Sequence, residues 1–372
     1  MNIYLDNAAS TKVKPEVLEK FNEVTEKIYG NPSSEHTAGQ AARKVIWEAE
    51  DILSEKLGCK SDEIFFTTGA TMSNSLIIQG FLKKHPNGMI ITTNIEHNDI
   101  LLLVNDLLCY RHILRVNSDG IINLEQLSKV LEYGANEMGV PVLVSIQMAN
   151  SETGVIQPIH EICGLIKQFN NVYLHVDATQ YIPYYPINMK CWGIDALSMS
   201  GQKIGGIKGS GVLVVRQTLQ NHISPIIYGE QGLIGGTPST PLIASLGIAF
   251  KLLNYDTEEL QKKRDYMLNK VRELGGVLIG TETNRLPNNI YCRFPGINGL
   301  VLLHLLSDQG ICVGTGSACS TDSDKPSHVA QAYGLTEVEA FECVRFTLSN
   351  ENTYEDIDYA ITVLKSILEI LR

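Results

Sequence analysis

Seven short apolar segments alternate with helical patterns in the middle of the chain, and this alternation constrains the fold more than any other feature. The segments are rich in β-branched or aromatic residues, and several are apolar on both faces, which is typical of buried strands. They lie at residues 63–68, 88–93, 112–116, 141–148, 172–177, 195–200 and 211–216. Strands and helices in alternation predict an α/β fold with a mostly parallel sheet covered on both faces. The last two strands, joined by a glycine-rich loop, are expected to form a hairpin-like exception.

The length of 372 residues exceeds what one hydrophobic core usually holds, so two domains are expected. After about residue 250 the pattern changes to a long helix, several short apolar segments and a final helix. This pattern predicts a smaller α+β domain, with which the first residues, "MNIYLDNAAST", are expected to pack. We therefore predict a large domain over residues 15–250 and a small domain formed by residues 1–14 and 251–372.

Composition excludes several classes of protein. The net charge of −11 and the lack of a basic tract argue against a nucleic-acid partner. No apolar run is long enough to span a bilayer, and the first residues lack the pattern of a signal peptide, so we expect a cytoplasmic protein without a membrane partner. The eight cysteines form no CxxC pair, which argues against a zinc ribbon, and no metal site is predicted.

Polar residues follow the predicted strands, and in open α/β sheets ligands bind beyond the carboxyl ends of the strands. "GATMSNS" opens a helix whose free N–H groups can bind a phosphate, although Thr71 or Ser73 could simply cap that helix. His97 enters the next helix, where its ring could stack on a planar ligand or be structural. Asp177 ends an apolar strand and needs a cationic or hydrogen-bonding partner, unless it caps the following helix.

Two lysines lie in "LSMSGQKIGGIKGSGVLVV", a stretch that does not fit a P-loop and does not open a helix as a dinucleotide fingerprint does. A Rossmann-like nucleotide binder is therefore disfavoured. Lys203 is placed at the same edge of the sheet as Asp177, whereas Lys208 lies farther into the turn. Asn150 and Gln180 also follow strands at this edge. A helix start for phosphate, a carboxylate for a ring nitrogen, two amides for a phenolic oxygen and a lysine amine together suit pyridoxal 5'-phosphate (PLP).

The motifs also resemble a known family. "YLDNAAST", "YGNPSSEHTAGQAAR", "FTTGATMSN", "IEHNDI", "ANSETGVIQPI", "HVDATQ", "SMSGQKIGGIKGSG" and "GTGSACSTDSDKPSHV" look like the cysteine desulfurases of the NifS/IscS type. These enzymes belong to the fold-type I, class V aminotransferase superfamily. The motifs occur in order from residue 4 to about residue 353 and cover essentially the whole chain. The resemblance implies a homodimer that binds PLP and converts L-cysteine to L-alanine.

The resemblance also implies roles for individual residues. Lys203 matches the lysine that forms the Schiff base with PLP, and Asp177 matches the acid that pairs with the ring nitrogen. His97 would stack on the ring and help to move protons. Arg345, together with Asn31, would bind the substrate carboxylate, a bidentate task suited to arginine. The remaining cofactor contacts are Asn150 and Gln180 at the ring oxygen, Ala70, Thr71, Ser200 and Gln202 at the phosphate, and Thr237 at the phosphate across a dimer interface.

Cys319 lies in the polar segment "GSACSTDSDKPSH" of the predicted small domain. The resemblance implies that its thiolate takes the substrate sulfur as a persulfide and passes it to a sulfur acceptor or an iron–sulfur scaffold protein. The sulfur would then supply iron–sulfur cluster assembly or tRNA thiolation. The length of this segment resembles the IscS-like group more than the SufS-like group. The resemblance also allows Cys319 to ligate an iron–sulfur cluster transiently; the alternative is an incidental surface cysteine.

The sequence departs from the family pattern at four positions. Gln202 stands where the family usually has histidine, Met72 replaces a glutamate, Ile234 an arginine and Ser349 a glycine. These departures leave two alternatives open. One is a selenocysteine lyase or related PLP-dependent C–S lyase, which would not need Cys319. The other is a degenerate PLP-binding scaffold in a sulfur-transfer complex.

Overall fold

The structure is a computed structural model that describes residues 3–229, 232–316 and 325–372. Its strands are β1 (Ile3–Tyr4), β2 (Ile64–Thr67), β3 (Met89–Thr93), β4 (Tyr110–Leu114), β5 (Val142–Gln147), β6 (Val172–Asp177), β7 (Ala196–Ser200), β8 (Gly211–Val215), β9 (Val277–Leu278), β10 (Asn289–Arg293), β11 (Ile311–Cys312) and β12 (Cys343–Thr347). All seven strands predicted between residues 63 and 216 are present.

The longer helices are α1 (Pro15–Lys27), α2 (Thr37–Leu57), α3 (Ala70–Lys84), α4 (Asn98–Asp106), α5 (Leu124–Leu131), α6 (Ile159–Ile166), α9 (Thr240–Lys251), α10 (Glu258–Glu273), α11 (Gly299–Asp308) and α14 (Tyr354–Leu371). The described residues also form four short α-helices: α7 (Met189–Trp192), α8 (Gln217–Gln220), α12 (His328–Ala332) and α13 (Glu337–Ala340). None of the helices in the described part of the chain is long and apolar enough to cross a membrane.

Strands β2 to β8 form one seven-stranded sheet in the order β2-β8-β7-β6-β5-β3-β4. Strands β3 to β7 pair in parallel, whereas β8 pairs antiparallel with both β7 and β2. The predicted parallel sheet and its hairpin-like exception are therefore both confirmed. The crossovers between the parallel strands carry helices, because parallel neighbours cannot be joined by a tight turn.

Both faces of this sheet are buried, as the apolar strands predict. Alternate residues of β5 point to opposite faces, so Val144 packs into one hydrophobic cluster and Leu143 into another. Helices α3 and α4 cover the face of Leu143, with Phe81 of α3 fully buried there. The larger cluster on the other face includes buried residues of α2, α5, α6 and α9. The α/β fold class is confirmed.

A third hydrophobic cluster lies mostly in the last third of the chain. It gathers buried residues of α10, α11 and α14 around a three-stranded sheet of order β12-β10-β9. Ile3 and Leu5 are part of this cluster, and β1 pairs in parallel with β11. The first residues thus pack with the C-terminal part of the chain; the domain boundaries at residues 14 and 250 stay a prediction.

The segment that follows β1 connects the two parts of the molecule. Asp6 bridges to Thr347 of β12, and the backbone N–H of Ala8 donates to the Thr347 hydroxyl at 3.0 Å. Farther along, the N–H of Thr11 donates to the carbonyl oxygen of Gln202 at 2.9 Å. This path places the carbonyl groups of Ala8 and Ala9 beyond the carboxyl ends of the parallel strands.

Candidate active site

A cavity of about 110 Å³ lies at the carboxyl edge of the large sheet. Its lining comes from strand ends, from the starts of α3 and α4, from the segment after β1 and from β12. Nine residues that the sequence predicts as site residues line it: Ala70, Thr71, His97, Asp177, Gln180, Ser200, Gln202, Lys203 and Arg345. Seven further residues complete the lining: Ala8, Ala9, Asp99, Gln147, Ala149, Ser151 and Thr179.

The start of α3 is open to an anion. The N-cap residue is Gly69, which has no side chain to cap the helix, so the expected alternative of a cap by Thr71 or Ser73 is wrong. The Ser73 hydroxyl instead donates to the carbonyl oxygens of Gly69 and Val212. The N–H of Ala70 donates to the Ser200 hydroxyl at 2.8 Å, and the first turn carries no acid. Such an uncapped helix start suits a phosphate group.

Asp177 ends β6 at the cavity and is only 8 % exposed. Its two carboxylate oxygens accept from the N–H of Thr179 and from the side-chain amide of Asn74, each at 2.9 Å. Turns rather than a helix follow Asp177, so it is not a helix cap. Burial, and then the charge of Asp99, raise the pKa of Asp177 above its usual value. A protonated ring nitrogen would supply the positive charge that favours its ionised form.

Lys203 ends a short 3-10 turn after β7, at Gly201–Lys203, and lines the cavity. Its Nζ donates to the carbonyl oxygens of Ala8 and Ala9, the second at 2.7 Å. Gln180 donates to the same Ala8 oxygen at 3.0 Å. Lys208, the other lysine of the glycine-rich loop, is exposed and is not among the residues that line this cavity. The geometry therefore makes Lys203 the lysine available to a ligand here.

His97 is the N-cap of α4, and its Nδ1 lies 3.0 Å from Oδ1 of Asp99. Burial opposes ionisation of Asp99, but hydrogen bonds and the charge of His97, with further hydrogen bonds from Thr71 and Asn74, hold its pKa below the usual value. Sequence reasoning missed Asp99. The signal was its position two residues after His97 in "IEHNDI", in the first turn of a helix.

Glu96 was also missed. Its side chain is fully buried and accepts from the Thr93 hydroxyl at 2.6 Å and from the N–H of Gln147 at 2.9 Å. Burial raises the pKa of Glu96 to about 8. Its carbonyl oxygen lies 2.9 Å from Nε2 of His328, at the start of α12. Glu96 therefore connects the ends of β3 and β5 to α12, directly beside His97.

Arg345 reaches the cavity from β12 and is 1 % exposed. Its guanidinium donates to Oδ1 of Asp6 at 2.7 Å and to the carbonyl oxygen of Ser151 at 2.9 Å. Its Nε has no hydrogen-bond partner within the described ranges. A buried guanidinium with an unused donor is suited to a carboxylate ligand.

Three predicted site residues are not among those that line this cavity, and a fourth falls outside the described residues. The side chain of Asn150 makes two kinds of contact: its amide donates to the carbonyl oxygen of Ile95, 55 positions earlier in the chain, and its Oδ1 accepts from two backbone N–H groups of the turn that follows it. Asn31 is exposed, and its Oδ1 accepts from the N–H of Ser33. Thr237 is exposed and lines a separate cavity of about 580 Å³. Cys319 lies outside the described residues.

The fold and this cavity define a member of a large class of α/β enzymes. The family model described as "Aminotransferase class-V" matches residues 3–360, and the chain belongs to that family. Within it, the chain is 36 % identical to a protein named cysteine desulfurase IscS from Dictyoglomus turgidum, over 100 % of this chain and 95 % of the relative. It is 35 % identical to a protein of the same name from Methanosarcina thermophila, over 100 % and 93 %.

A solved structure described as a NifS-like protein superposes with a TM-score of 0.90 at 32 % identity and covers 100 % of both chains. The NifS-like protein from Rickettsia africae superposes with a TM-score of 0.89 at 30 % identity, over 99 % of this chain and 100 % of the other. The resemblance to the NifS/IscS type that the motifs indicate is confirmed over the full length of the chain.

Proposed function

We propose that this chain is a PLP-dependent cysteine desulfurase that converts L-cysteine to L-alanine. One observation carries the proposal: Lys203, Asp177 and the uncapped start of α3 line a single cavity in a chain 36 % identical to a protein named cysteine desulfurase. A solved structure titled "SspA in complex with cysteine" supports the choice of substrate. It matches 93 % of this chain and 99 % of its own with a TM-score of 0.80 at 30 % identity.

The residues present fit PLP. The backbone at the start of α3, with Thr71, Ser200 and Gln202, would hold the phosphate, and Asp177 would hold the protonated ring nitrogen. Lys203 would hold the aldehyde carbon covalently, with Gln180 and Asn150 proposed at the ring oxygen. When bound, PLP supplies an electron sink that stabilises negative charge at the α-carbon of an amino acid.

Lys203 must leave the two carbonyl oxygens that now accept from it before it can react. Its amine also has to lose a proton, because only the neutral amine is nucleophilic. The same Nζ would then remove the α-proton of the substrate, and His97 would move protons within the cavity. Arg345, with Asn31, would bind the substrate carboxylate and so turn the α-hydrogen and the sulfur toward the reacting groups.

Sulfur transfer needs a thiolate, and the seven described cysteines do not provide a suitable one. Burial raises the pKa of five of them: Cys59, Cys109, Cys163, Cys292 and Cys343. No described cysteine lines the cavity. We therefore keep Cys319 as the proposed nucleophile. Its thiolate would attack the substrate sulfur, the C–S electron pair would return to carbon with a proton to give alanine, and the sulfur would remain as a Cys319 persulfide.

The proposal also covers the oligomeric state of the enzyme and the acceptor of its sulfur. Thr237 is exposed and lies outside the cavity of its own chain, as expected of a residue that serves the phosphate of a second subunit in a homodimer. The persulfide sulfur would pass to an acceptor or iron–sulfur scaffold protein in the cytoplasm.

The test is to load the purified chain with PLP and add L-cysteine in two reactions. Peptide masses are measured without a reductant, which would remove a persulfide, and alanine is measured with a thiol reductant that accepts the sulfur and allows turnover. We expect alanine and a persulfide on Cys319, both lost in C319S and unaffected in C191S, since Cys191 is an exposed cysteine that does not line the cavity. Alanine formation from selenocysteine that persists in C319S, with no turnover of cysteine by the natural chain, would favour the lyase alternative. No product from either substrate would favour the scaffold alternative.

A further inference from the structure

We propose that Asn74 is a positioning residue for the cofactor, which holds the carboxylate of Asp177 in place and favours its ionised form. Asn74 is not among the residues that line the cavity, so it would act through Asp177, which does line it. The contact between the two side chains stands on their geometry in this chain. Its consequence for PLP binding rests on the proposed function, in which Asp177 holds the protonated ring nitrogen.

Asn74 is a buried polar residue in a helix whose buried residues are mostly apolar. It is 0 % exposed, and Leu76, Ile77 and Ile78 follow it in α3. Its Oδ1 is buried and has no hydrogen-bond partner within the part of the chain that the structure describes. A buried acceptor without a donor is unfavourable, and an apolar residue at this position would avoid that cost. The presence of the amide is therefore explained by what its nitrogen binds.

The side-chain nitrogen of Asn74 faces two acids. Its Nδ2 donates to Oδ2 of Asp177 at 2.9 Å and to Oδ2 of Asp99 at 3.4 Å. Ionised carboxylate oxygens only accept hydrogen bonds, so the amide has to present its nitrogen, and not its oxygen, to both of them. The shorter bond is the one to Asp177. Because a hydrogen bond to a charged acceptor is stronger than one to a neutral acceptor, this contact favours the ionised form of Asp177.

Helix α3 connects two parts of the proposed cofactor site. Ala70, at its start, lines the cavity, and Asn74 follows four residues later on the same face of the helix, about one turn farther along. Oδ1 of Asp177 accepts from the N–H of Thr179, two positions away in the chain, whereas Asn74 lies 103 positions away. Thr179 thus orients the carboxylate locally, and Asn74 fixes it relative to the helix start that is proposed to bind the phosphate.

Several charged or titratable groups surround the pair. They come from the start of α4 and the residues just before it, from β6, from the turn after β7 and from β12, and they are Glu96, His97, Asp99, His175, Lys203 and Arg345. Burial and the charge of Asp99 raise the pKa of Asp177, whereas hydrogen bonds from Thr179 and Asn74 lower it. Asn74 therefore offsets part of the cost of keeping Asp177 ionised before a cationic ligand arrives.

The direct test is the titration of Asp177 in the cofactor-free chain. Carbon-13 NMR of protein labelled at the aspartate carboxyl carbons would follow it, with the Asp177 signal assigned by its loss in D177A. We expect the pKa of Asp177 to be higher in N74A than in the natural chain, because a hydrogen bond to its charged form is removed. Q79A, at a partly buried amide farther along α3, should leave this pKa unchanged. An unchanged or lower pKa in N74A would overturn the proposal.

The affinity for PLP, measured by equilibrium dialysis, gives the second readout. We expect N74A to weaken binding about 10-fold or more in the natural chain but less than about 2-fold in D177A, because the effect passes through Asp177. Q79A should match the natural chain. N74S, whose side chain ends one bond earlier, should behave as N74A does and replaces it if N74A does not fold.

Two outcomes separate the positioning role from the proposed function. Equal weakening of PLP binding by N74A in the natural chain and in D177A would show that Asn74 acts on the fold as a whole, and it would overturn the positioning role. A natural chain in which Asp177 titrates as expected against N74A, but which binds no PLP, would refute the proposed function and leave the pairing intact.

Discussion

Lys203 and Gln180 donate hydrogen bonds to the same acceptor, the carbonyl oxygen of Ala8. Ala8 belongs to the segment after β1, which also binds β12 through Thr347. The segment thus contacts the proposed reactive amine on one side and the strand that carries Arg345 on the other. Ala8 and Ala9 also line the cavity, so the first residues of the chain are part of the site.

Lys203 and Lys208 offer a matched comparison within one loop. We expect K203A to lower alanine formation by at least about 100-fold and to remove the borohydride-trapped link to PLP, because the covalent attachment and the base are both lost. K208A should retain both, since Lys208 is exposed and lies outside the cavity lining. A trapped adduct on residue 208 would contradict this assignment.

Replacement of Arg345 should affect substrate binding more than the chemical step. R345K keeps a positive charge but loses the planar pair of donors, so we expect KM for cysteine to rise about 10-fold or more and kcat to change less. Steady-state kinetics would measure both. R293K is the control, because Arg293 pairs with Glu339 and Glu342 outside the cavity lining. Equal effects of the two substitutions would argue against a carboxylate site at Arg345.

Glu96 should make the folded chain less stable as pH rises. Its pKa is raised to about 8 from an ordinary value near 4.5, so between these values the folded state holds a proton that the unfolded state has released. The free energy of unfolding should therefore fall by up to about 1.4 kcal/mol per pH unit across this window. Denaturant titrations from pH 5 to pH 8 should show a shallower fall in E96Q, which is always neutral. E48Q, at an exposed glutamate, should keep the slope of the natural chain.

His175 should make the folded chain less stable as pH falls. It is fully buried between the hydroxyls of Ser145 and Ser198, each at 2.9 Å, and burial lowers its pKa to about 3. Below about pH 6.5 the unfolded chain binds a proton that the folded chain does not, so stability should fall by up to about 1.4 kcal/mol per pH unit on acidification. H175Q should reduce this acid slope, whereas H304Q, at an exposed histidine, should not. An unchanged slope in H175Q would show that His175 is charged in the fold.

The amino-acid sequence by itself was enough to predict the seven strands of the large sheet and the polar residues at their ends. Strand period and burial on both faces are local properties of the chain, so β5 and β6 were recognisable from their apolar runs alone. Because both residues lie at or just after the carboxyl ends of parallel strands, Asp177 and Lys203 lie at the same edge of the sheet and line one cavity, independently of loop conformation. The proposed chemistry came from the resemblance of the motifs around these residues to the motifs of NifS/IscS-type cysteine desulfurases.

Only the tertiary structure decided which partners these residues have. The carbonyl oxygen of Ala8 meets Lys203 across 195 positions of the sequence, and Arg345 pairs with Asp6 across 339. Asn74 joins Asp99 to Asp177 because α3 and α4 cover the same face of the sheet. Such contacts depend on how separately folded parts pack against one another. No local pattern encodes them, because their free energy is gained only when distant segments exclude water together.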